Sequence, residues 1–506
     1  MKKIIHFCFI LLSFNGFAQA YELDTNFGVN GFARLTNKTG IRDYTYFAGK
    51  YYLLLSSSTS DSTSNLIVVN PDGTIYNTLT IDYYMLFTTV GGSLYAYGGN
   101  DSHQDIKITK FSADGNIDNS FGLNGTKTID FGFNEEHAIG ICAATDGSLL
   151  CAASRRNTNQ TSIAEITFKL NPATGELITD YDPNVFKVNG VTSPYTNNYY
   201  YSKMAMLAYQ SNFLLIRCHA GQMVTQLIDS NGDNVNTYGT NGIRNFTLTW
   251  PITAEIKKVA IAGDLLYNQH SYYTGVCGGS KSLAIADLNT GSILFNAHSQ
   301  LGDDHFYSTF SIDSDKVYSG NVSDITCEVS TNQFKIRRQL LDGSMDNTFH
   351  QSGNFSYQYT GIGNVTYERN ETQMVLKNDD GSLTVAGYAK VIDQFSPTFP
   401  FEAIYWTGLV MSRLVESDEP LATHDYNLNE MTLAPNPFEE KITLISITSI
   451  NHIDLYDLTG RKLTSPKFKM VGSDTDIDLS FISDSGTYLL KIHDGEKTIT
   501  RKIIKK

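Results

Sequence analysis

Several short stretches of this 506-residue chain carry side chains that can do chemistry. Asp101-Ser102-His103-Gln104-Asp105 and Asp303-Asp304-His305 hold the carboxylates and imidazoles of a metal site, although two or three polar residues in one turn equally make a solvated loop. Asp229-Ser230-Asn231-Gly232-Asp233 hints at a calcium loop but lacks the EF-hand spacing and its closing glutamate. Glu135-Glu136-His137 offers acid–base groups, and nothing in the sequence pairs it with a second carboxylate at glycosidase separation. Asn198-Tyr199-Tyr200-Tyr201 and Tyr272-Tyr273 can stack on sugars or anchor a protein partner if exposed, or fill space between sheets if buried. No Gly-x-Ser-x-Gly elbow, His-Glu-x-x-His motif or P-loop is present. No catalytic, cofactor-binding or metal-binding residue is therefore assigned, and no cofactor is expected.

Five cysteines follow the first 20 residues: Cys142, Cys151, Cys218, Cys277 and Cys327. An odd, sparse set in a long chain is no disulfide framework. One pair is of interest, because a two-residue Asp146-Gly147 hairpin turn would set Cys142 directly opposite Cys151 at disulfide range. The alternative is two small buried hydrophobes on one strand face.

The elements that must position these groups are strands. Aromatics make up 12% of the chain and charged residues 18%, with 40 glycines, and no long stretch has helix-bundle periodicity. This composition predicts an all-β protein. Self-comparison finds a repeated segment: Leu23-Asp24-Thr25-Asn26-Phe27-Gly28-Val29-Asn30-Gly31 matches Ile117 to Gly125 (with Phe121 and Gly122) and Met345 to Gly353 (with Phe349). Asp182–Gly190 and Asn234–Gly242 are worn copies, and two more near Tyr76 and Phe295 are recognisable only by position. Most follow a strand ending in a polar turn such as Asn70-Pro71-Asp72-Gly73. A second series of hairpin turns, near Gly49, Gly92, Gly147, Ser211, Gly263, Asp315 and Gly381, interleaves with the first. Each unit has room for about four strands, the size of a propeller blade.

The last strand of the series, Leu409–Val415, has no following Phe-Gly segment, while an unattached copy stands at residues 23–31. Moving that copy into the last unit closes a seven-bladed β-propeller over residues 21–418, with an open β-solenoid as the alternative. Phe27, Phe121, Phe186 and Phe349 are expected to pack between neighbouring sheets. The consensus resembles the delta-60 repeat of large bacterial secreted and surface proteins. That likeness implies a propeller-like β fold and no particular activity.

Lys2 and Lys3, the apolar run Ile4–Phe14 and the small-x-small site Ala18-Gln19-Ala20 predict a signal peptide over residues 1–20, cleaved before Tyr21. No later segment approaches the length of a transmembrane helix. The chain holds 38 basic and 52 acidic residues, and 11 and 10 of these fall in 431–506. With Lys2 and Lys3 set apart, residues 21–430 hold 25 basic and 42 acidic ones, a net of −17. So acidic a body repels nucleic acid and anionic membranes.

Residues 419–432 read as a linker, and 433–506 as six or seven short strands in a small immunoglobulin-like β-sandwich. The Pro435-Asn436-Pro437 opening, the turn after Tyr456 with Gly460 and Arg461, the strand from Gly486 through Tyr488 and the basic tail resemble the type A C-terminal sorting domain. That family directs cargo through the type IX secretion system of Bacteroidota. The resemblance implies export by the type IX machinery, and a protein released or held at the outer-membrane surface. Two readings remain for the body: a non-catalytic binding propeller for a glycan or protein ligand, or an extracellular polysaccharide- or peptide-cleaving enzyme with its site at the central channel.

Overall fold

The computed structural model describes residues 20–38, 40–55, 64–81, 83–100, 105–157, 163–192, 204–219, 221–248, 255–273, 279–298, 306–321, 333–350, 352–359, 369–395, 403–417, 431–446, 450–457, 461–471, 474–493 and 498–506. The chain divides into two compact units, residues 1–418 and 419–506. All regular elements among the described residues are β-strands, paired antiparallel.

Among the described residues of the first unit the strands form seven sheets. Six are built from four consecutive strands, starting with Ile41–Phe47, Tyr83–Val90, Glu135–Ala143, Met204–Tyr209, Glu255–Ala262 and Phe306–Asp313. The seventh joins Arg369–Lys377, Leu383–Phe395 and Ala403–Glu416 to two N-terminal strands, Tyr21–Leu23 and Phe32–Thr36. Both pair with Ala403–Glu416, Tyr21 opposite Glu416 and Phe32 opposite Ser412. The N-terminal copy of the repeat is thus part of the last sheet. The first strand of each sheet lies against the first strand of the next, and Arg369–Lys377 returns to Ile41–Phe47. Among the described residues none of the sheets closes on itself.

Burial follows from this stacking. A strand covered on both faces reads as a continuous apolar run, and Glu135–Ala143 and Lys50–Leu55 are buried at nearly every position. The fourth strand Ile75–Ile81 alternates exposed with partly buried residues. The core is divided accordingly, with an apolar cluster between each neighbouring pair of sheets. Phe111 and Leu94 pack with Tyr52 and Leu66, for example, while Leu53 and Ile67 on the opposite face pack with Met374 and Met411.

The seven interleaved hairpin turns fall where the sequence places them, between the first and second strands of each sheet. The repeated Phe-Gly segment has a specific task. It crosses to the polar turn of the next sheet, where Gly122 N–H donates to Thr174 O (2.9 Å) and Gly28 N–H donates to Asp72 O (3.2 Å). The aromatic ring then lies over that turn's glycine: a Cβ on Gly73 would come 2.7 Å from Phe27, and one on Gly175 3.0 Å from Phe121. Gly175 also has φ +74°, so only glycine meets both demands without strain. Tyr76 over Gly115 and Phe295 over Gly343 are the two copies recognisable only by position. At the worn copy Asp182–Gly190 the socket at Gly232 is filled by the hydroxyl end of the preceding residue, Tyr181, not by Phe186. Phe186 instead packs against Phe131 (ring centroids 5.0 Å apart) and Phe133 (6.3 Å).

The expected cysteine register does not occur. The turn is a three-residue loop, Thr145-Asp146-Gly147, in which Ala144 N–H donates to Ser148 O (2.8 Å) and Gly147 N–H to Ala144 O (3.0 Å). Cys142 therefore faces Leu150, and Cys151 faces Ile141. A one-residue shift sends the two side chains to opposite faces. Cys151 points toward the second sheet and Cys142 toward the fourth, both as buried free thiols.

The second unit pairs two four-stranded sheets around one core centred on Phe438, Ile442, Leu455, Ile477 and Leu490. One sheet runs Met431–Ala434, Lys441–Ser446, Asp474–Asp478, Phe468–Val471; the other Lys462–Thr464, His452–Tyr456, Gly486–His493, Thr498–Lys505.

Candidate functional site

The stacked first strands of the seven sheets enclose a cavity of about 840 Å³ in the first unit, and each of the seven contributes to its lining. Much of the wall is apolar, from Leu86, Phe87, Ile139, Met206 and Val259. The polar groups come from strands far apart in sequence.

Asp43 lies beside a bulge in Ile41–Phe47. Its carboxylate accepts from Tyr44 N–H (2.9 Å) and from Phe87 N–H of the next sheet (2.7 Å). Burial raises its pKa above the ordinary aspartate value, against the opposing pull of the Lys258 ammonium and these two donors. Asp43 is the single carboxylate among the described lining residues.

Tyr44 reaches across the cavity. Its hydroxyl bonds to Thr309 Oγ1 and donates to Phe310 O (3.1 Å), both on the sixth sheet's first strand. The Lys258 ammonium, from the fifth sheet, sits 3.9 Å from the Tyr44 ring centroid, a cation–π contact. Gln373 on the seventh sheet accepts from Ile41 N–H (2.8 Å). Arg42 and Lys257 complete a lining with three cationic side chains, inside a body whose net charge is strongly negative. Tyr97 and Cys142 also border the cavity, and burial pushes the Cys142 thiol up to about 12. That thiol is protonated and unreactive at neutral pH.

Glu135, Glu136 and His137 have separate surroundings, and because successive strand residues point to opposite faces Glu136 is set apart from the other two. Glu135 forms an ion pair with Arg156 (2.6 Å). Glu136 is buried and accepts from Phe131 N–H (3.0 Å) and Phe133 N–H (3.1 Å). Only His137 lines the cavity. Asp229 spends its carboxylate on its own turn, accepting from Asn231 N–H (2.8 Å) and Asp233 N–H (3.0 Å), while Asp233 pairs with Lys187. Residues 101–104, 193–203 and 303–305 and the side chains of Tyr272 and Tyr273 lie outside the described residues. No group of three or more His, Cys, Asp and Glu with metal-site geometry occurs among the described residues. Asp43, Tyr44 and Lys258 share no local motif, so no sequence signal marks them as a group.

At the N-terminal junction Ala18 lies outside the described residues. Ala20 O accepts from Ser417 N–H (3.0 Å), and Tyr21 N–H donates to His350 Nε2 (2.7 Å). The repeat glycines Gly31, Gly125 and Gly353 pack against Leu23, Ile117 and Met345 of their own segments.

In the second unit the Pro435-Asn436-Pro437 segment is strapped to the last strand. Asn436 Nδ2 donates to Lys502 O (3.0 Å), and its Oδ1 accepts from Ile504 N–H (2.8 Å). Phe438 N–H donates to Ile504 O (2.8 Å), Lys506 N–H donates to Phe438 O (3.0 Å), and the Phe438 ring is fully buried. Arg461 bonds to Asp457 (3.0 Å), and Tyr488 hydroxyl donates to Asp484 O (2.9 Å), at the foot of the strand that Gly486 opens. Gly460 lies outside the described residues.

These features define a two-unit, all-β protein whose small C-terminal unit has a core of its own and an N-terminal segment strapped to its last strand. Residues 432–506 match a family model described as the secretion system C-terminal sorting domain, the tail read by the type IX secretion system. The protein is accordingly exported by that machinery, to the cell surface or beyond it. No helix among the described residues is long and apolar enough to cross a membrane.

No curated protein matches the chain. Among solved structures it is similar to hydrazine synthase of Kuenenia stuttgartiensis, at 12% identity and a TM-score of 0.39, covering 69% of this chain and 93% of that one. An oligogalacturonate lyase in complex with manganese matches at 11% identity and a TM-score of 0.36, covering 78% and 96%. A Synechocystis apocarotenoid oxygenase matches at 8% identity and a TM-score of 0.36, covering 77% and 89%. Likenesses this distant carry no argument about activity.

Proposed function

We propose that residues 21–418 form a seven-bladed β-propeller that acts as a non-catalytic binding module, delivered outside the cell by an immunoglobulin-like sorting domain. Its ligand carries acidic groups and enters the central cavity; an acidic glycan or an acidic protein segment has the required chemistry. One observation carries this reading: the cavity brings together Arg42, Lys257 and Lys258 with a lone, hydrogen-bonded carboxylate, Asp43. Hydrolysis of a glycoside calls for two cooperating carboxylates. A low-dielectric cavity with cationic side chains instead concentrates anions.

The mature protein can be titrated with matched acidic and neutral oligosaccharides and peptides, with the products analysed for cleavage. Saturable binding of acidic members, weakened by salt and by Lys257→Ala, is expected. Cleavage of any member would favour a propeller enzyme, and indifference to ligand charge would remove the basis of the proposal.

A further inference from the structure

A separate cluster lies between the fourth and fifth sheets, and the binding reading above does not use it. Cys218 and Met223 are directly opposite each other across one hairpin of the fourth sheet. Asn268 and His270, two apart on the second strand of the fifth sheet, project from one face toward them. His270 Nε2 lies 3.2 Å from Cys218 Sγ. Asn268 Nδ2 lies 3.4 Å from Cys218 Sγ and 3.1 Å from Met223 Sδ. Met223, Asn268 and His270 are fully buried and Cys218 nearly so, against Phe246 and Leu248. Asn268 Oδ1 has no hydrogen-bond partner among the described residues, so this amide is held in an apolar interface by its contacts to sulfur.

We infer that Cys218, Met223 and His270 form a binding site for a soft monovalent metal ion of the Cu(I) class, with Asn268 supporting the two sulfurs. A thiolate, a thioether and an imidazole make a donor set suited to Cu(I), whereas a thioether is a poor ligand for Zn²⁺ or harder ions. Charge points the same way. On binding, the Cys218 S–H bond is replaced by S–Cu and the proton leaves to solvent. The Cu⁺–thiolate pair is neutral and tolerable in a dry interface, while a divalent ion would leave a buried net charge. Asn268 N–H groups on the sulfurs serve as the outer hydrogen bonds that orient metal ligands.

The test uses the mature full-length chain under ascorbate, titrated with Cu(I) against a chromophoric Cu(I) chelator. Wild type is compared with Cys218→Ser, Met223→Leu and His270→Gln, and with a variant carrying Cys142→Ala, Cys151→Ala, Cys277→Ala and Cys327→Ala. One equivalent should be retained by the fourfold variant, with sulfur and nitrogen neighbours in the X-ray absorption spectrum. Cys218→Ser should hold one equivalent fewer than wild type, and Met223→Leu should bind roughly 10-fold or more weakly. Equal retention by wild type and Cys218→Ser would overturn the inference, as would a copper environment unchanged in both Met223→Leu and His270→Gln. Because wild type and the single variants are read directly, misfolding of the fourfold variant does not remove the test.

Discussion

The ring of Phe121 lies over Gly175, its Cζ 3.0 Å from where a Cβ on that glycine would stand, and the next residue, Gly122, donates its N–H to Thr174 O. One residue pair thus joins the second sheet to the third, and Phe27 over Gly73 joins the seventh to the first in the same way.

Gly175→Ala combines a left-handed backbone with a close approach to the ring, and should cost about 1–3 kcal/mol. Phe121→Ala empties a buried site and should cost about 3–5 kcal/mol. Both act on one contact, so the double variant should lose less than the sum, as read by urea denaturation. Strict additivity would show that ring and glycine do not form a functional socket.

Removing residues 21–36 leaves the seventh sheet with three strands and takes Phe27 out of the core between the last and first sheets. The shortened chain should unfold at lower denaturant and be cut early by protease within 369–417. A protease pattern identical to that of the mature chain would contradict the pairing of Tyr21 with Glu416.

Burial lifts the Glu136 carboxyl from the ordinary 4.5 to about 7, even though it accepts backbone N–H groups from Phe131 and Phe133. The folded state holds the proton more tightly than the unfolded chain does. Its contribution is therefore fully present below pH 4.5 and is lost as pH rises through 7. Glu136→Gln removes that titration, so wild type should lose stability relative to the variant between pH 5 and 7.5. Parallel stability curves over that interval would rule the effect out.

Deleting residues 432–506 removes the segment that matches the sorting-domain family. The truncated protein should accumulate in the periplasm, measured by fractionation and immunoblotting against the full chain. Normal surface delivery would show that the tail is dispensable for export.

The Asp-Gly turns and Phe-Gly segments were legible in the sequence because a turn is specified within a few residues. The tail was legible because Pro435 to Phe438 and the strand Gly486–His493 carry local, ordered motifs. The sequence alone also placed the N-terminal repeat copy with the last strand, since a missing segment at one end matched a spare one at the other. Tertiary structure decided what no local pattern encodes. Asp43, Tyr44 and Lys258 meet because first strands from different sheets converge, and Cys218 meets His270 because two sheets stack. It also overruled the pairing of Cys142 with Cys151. One extra turn residue, with a positive φ of 83° at Gly147, puts the two thiols on opposite faces of the sheet. Local chemistry fixes where the chain bends; the stacking of distant strands determines which side chains share a cavity.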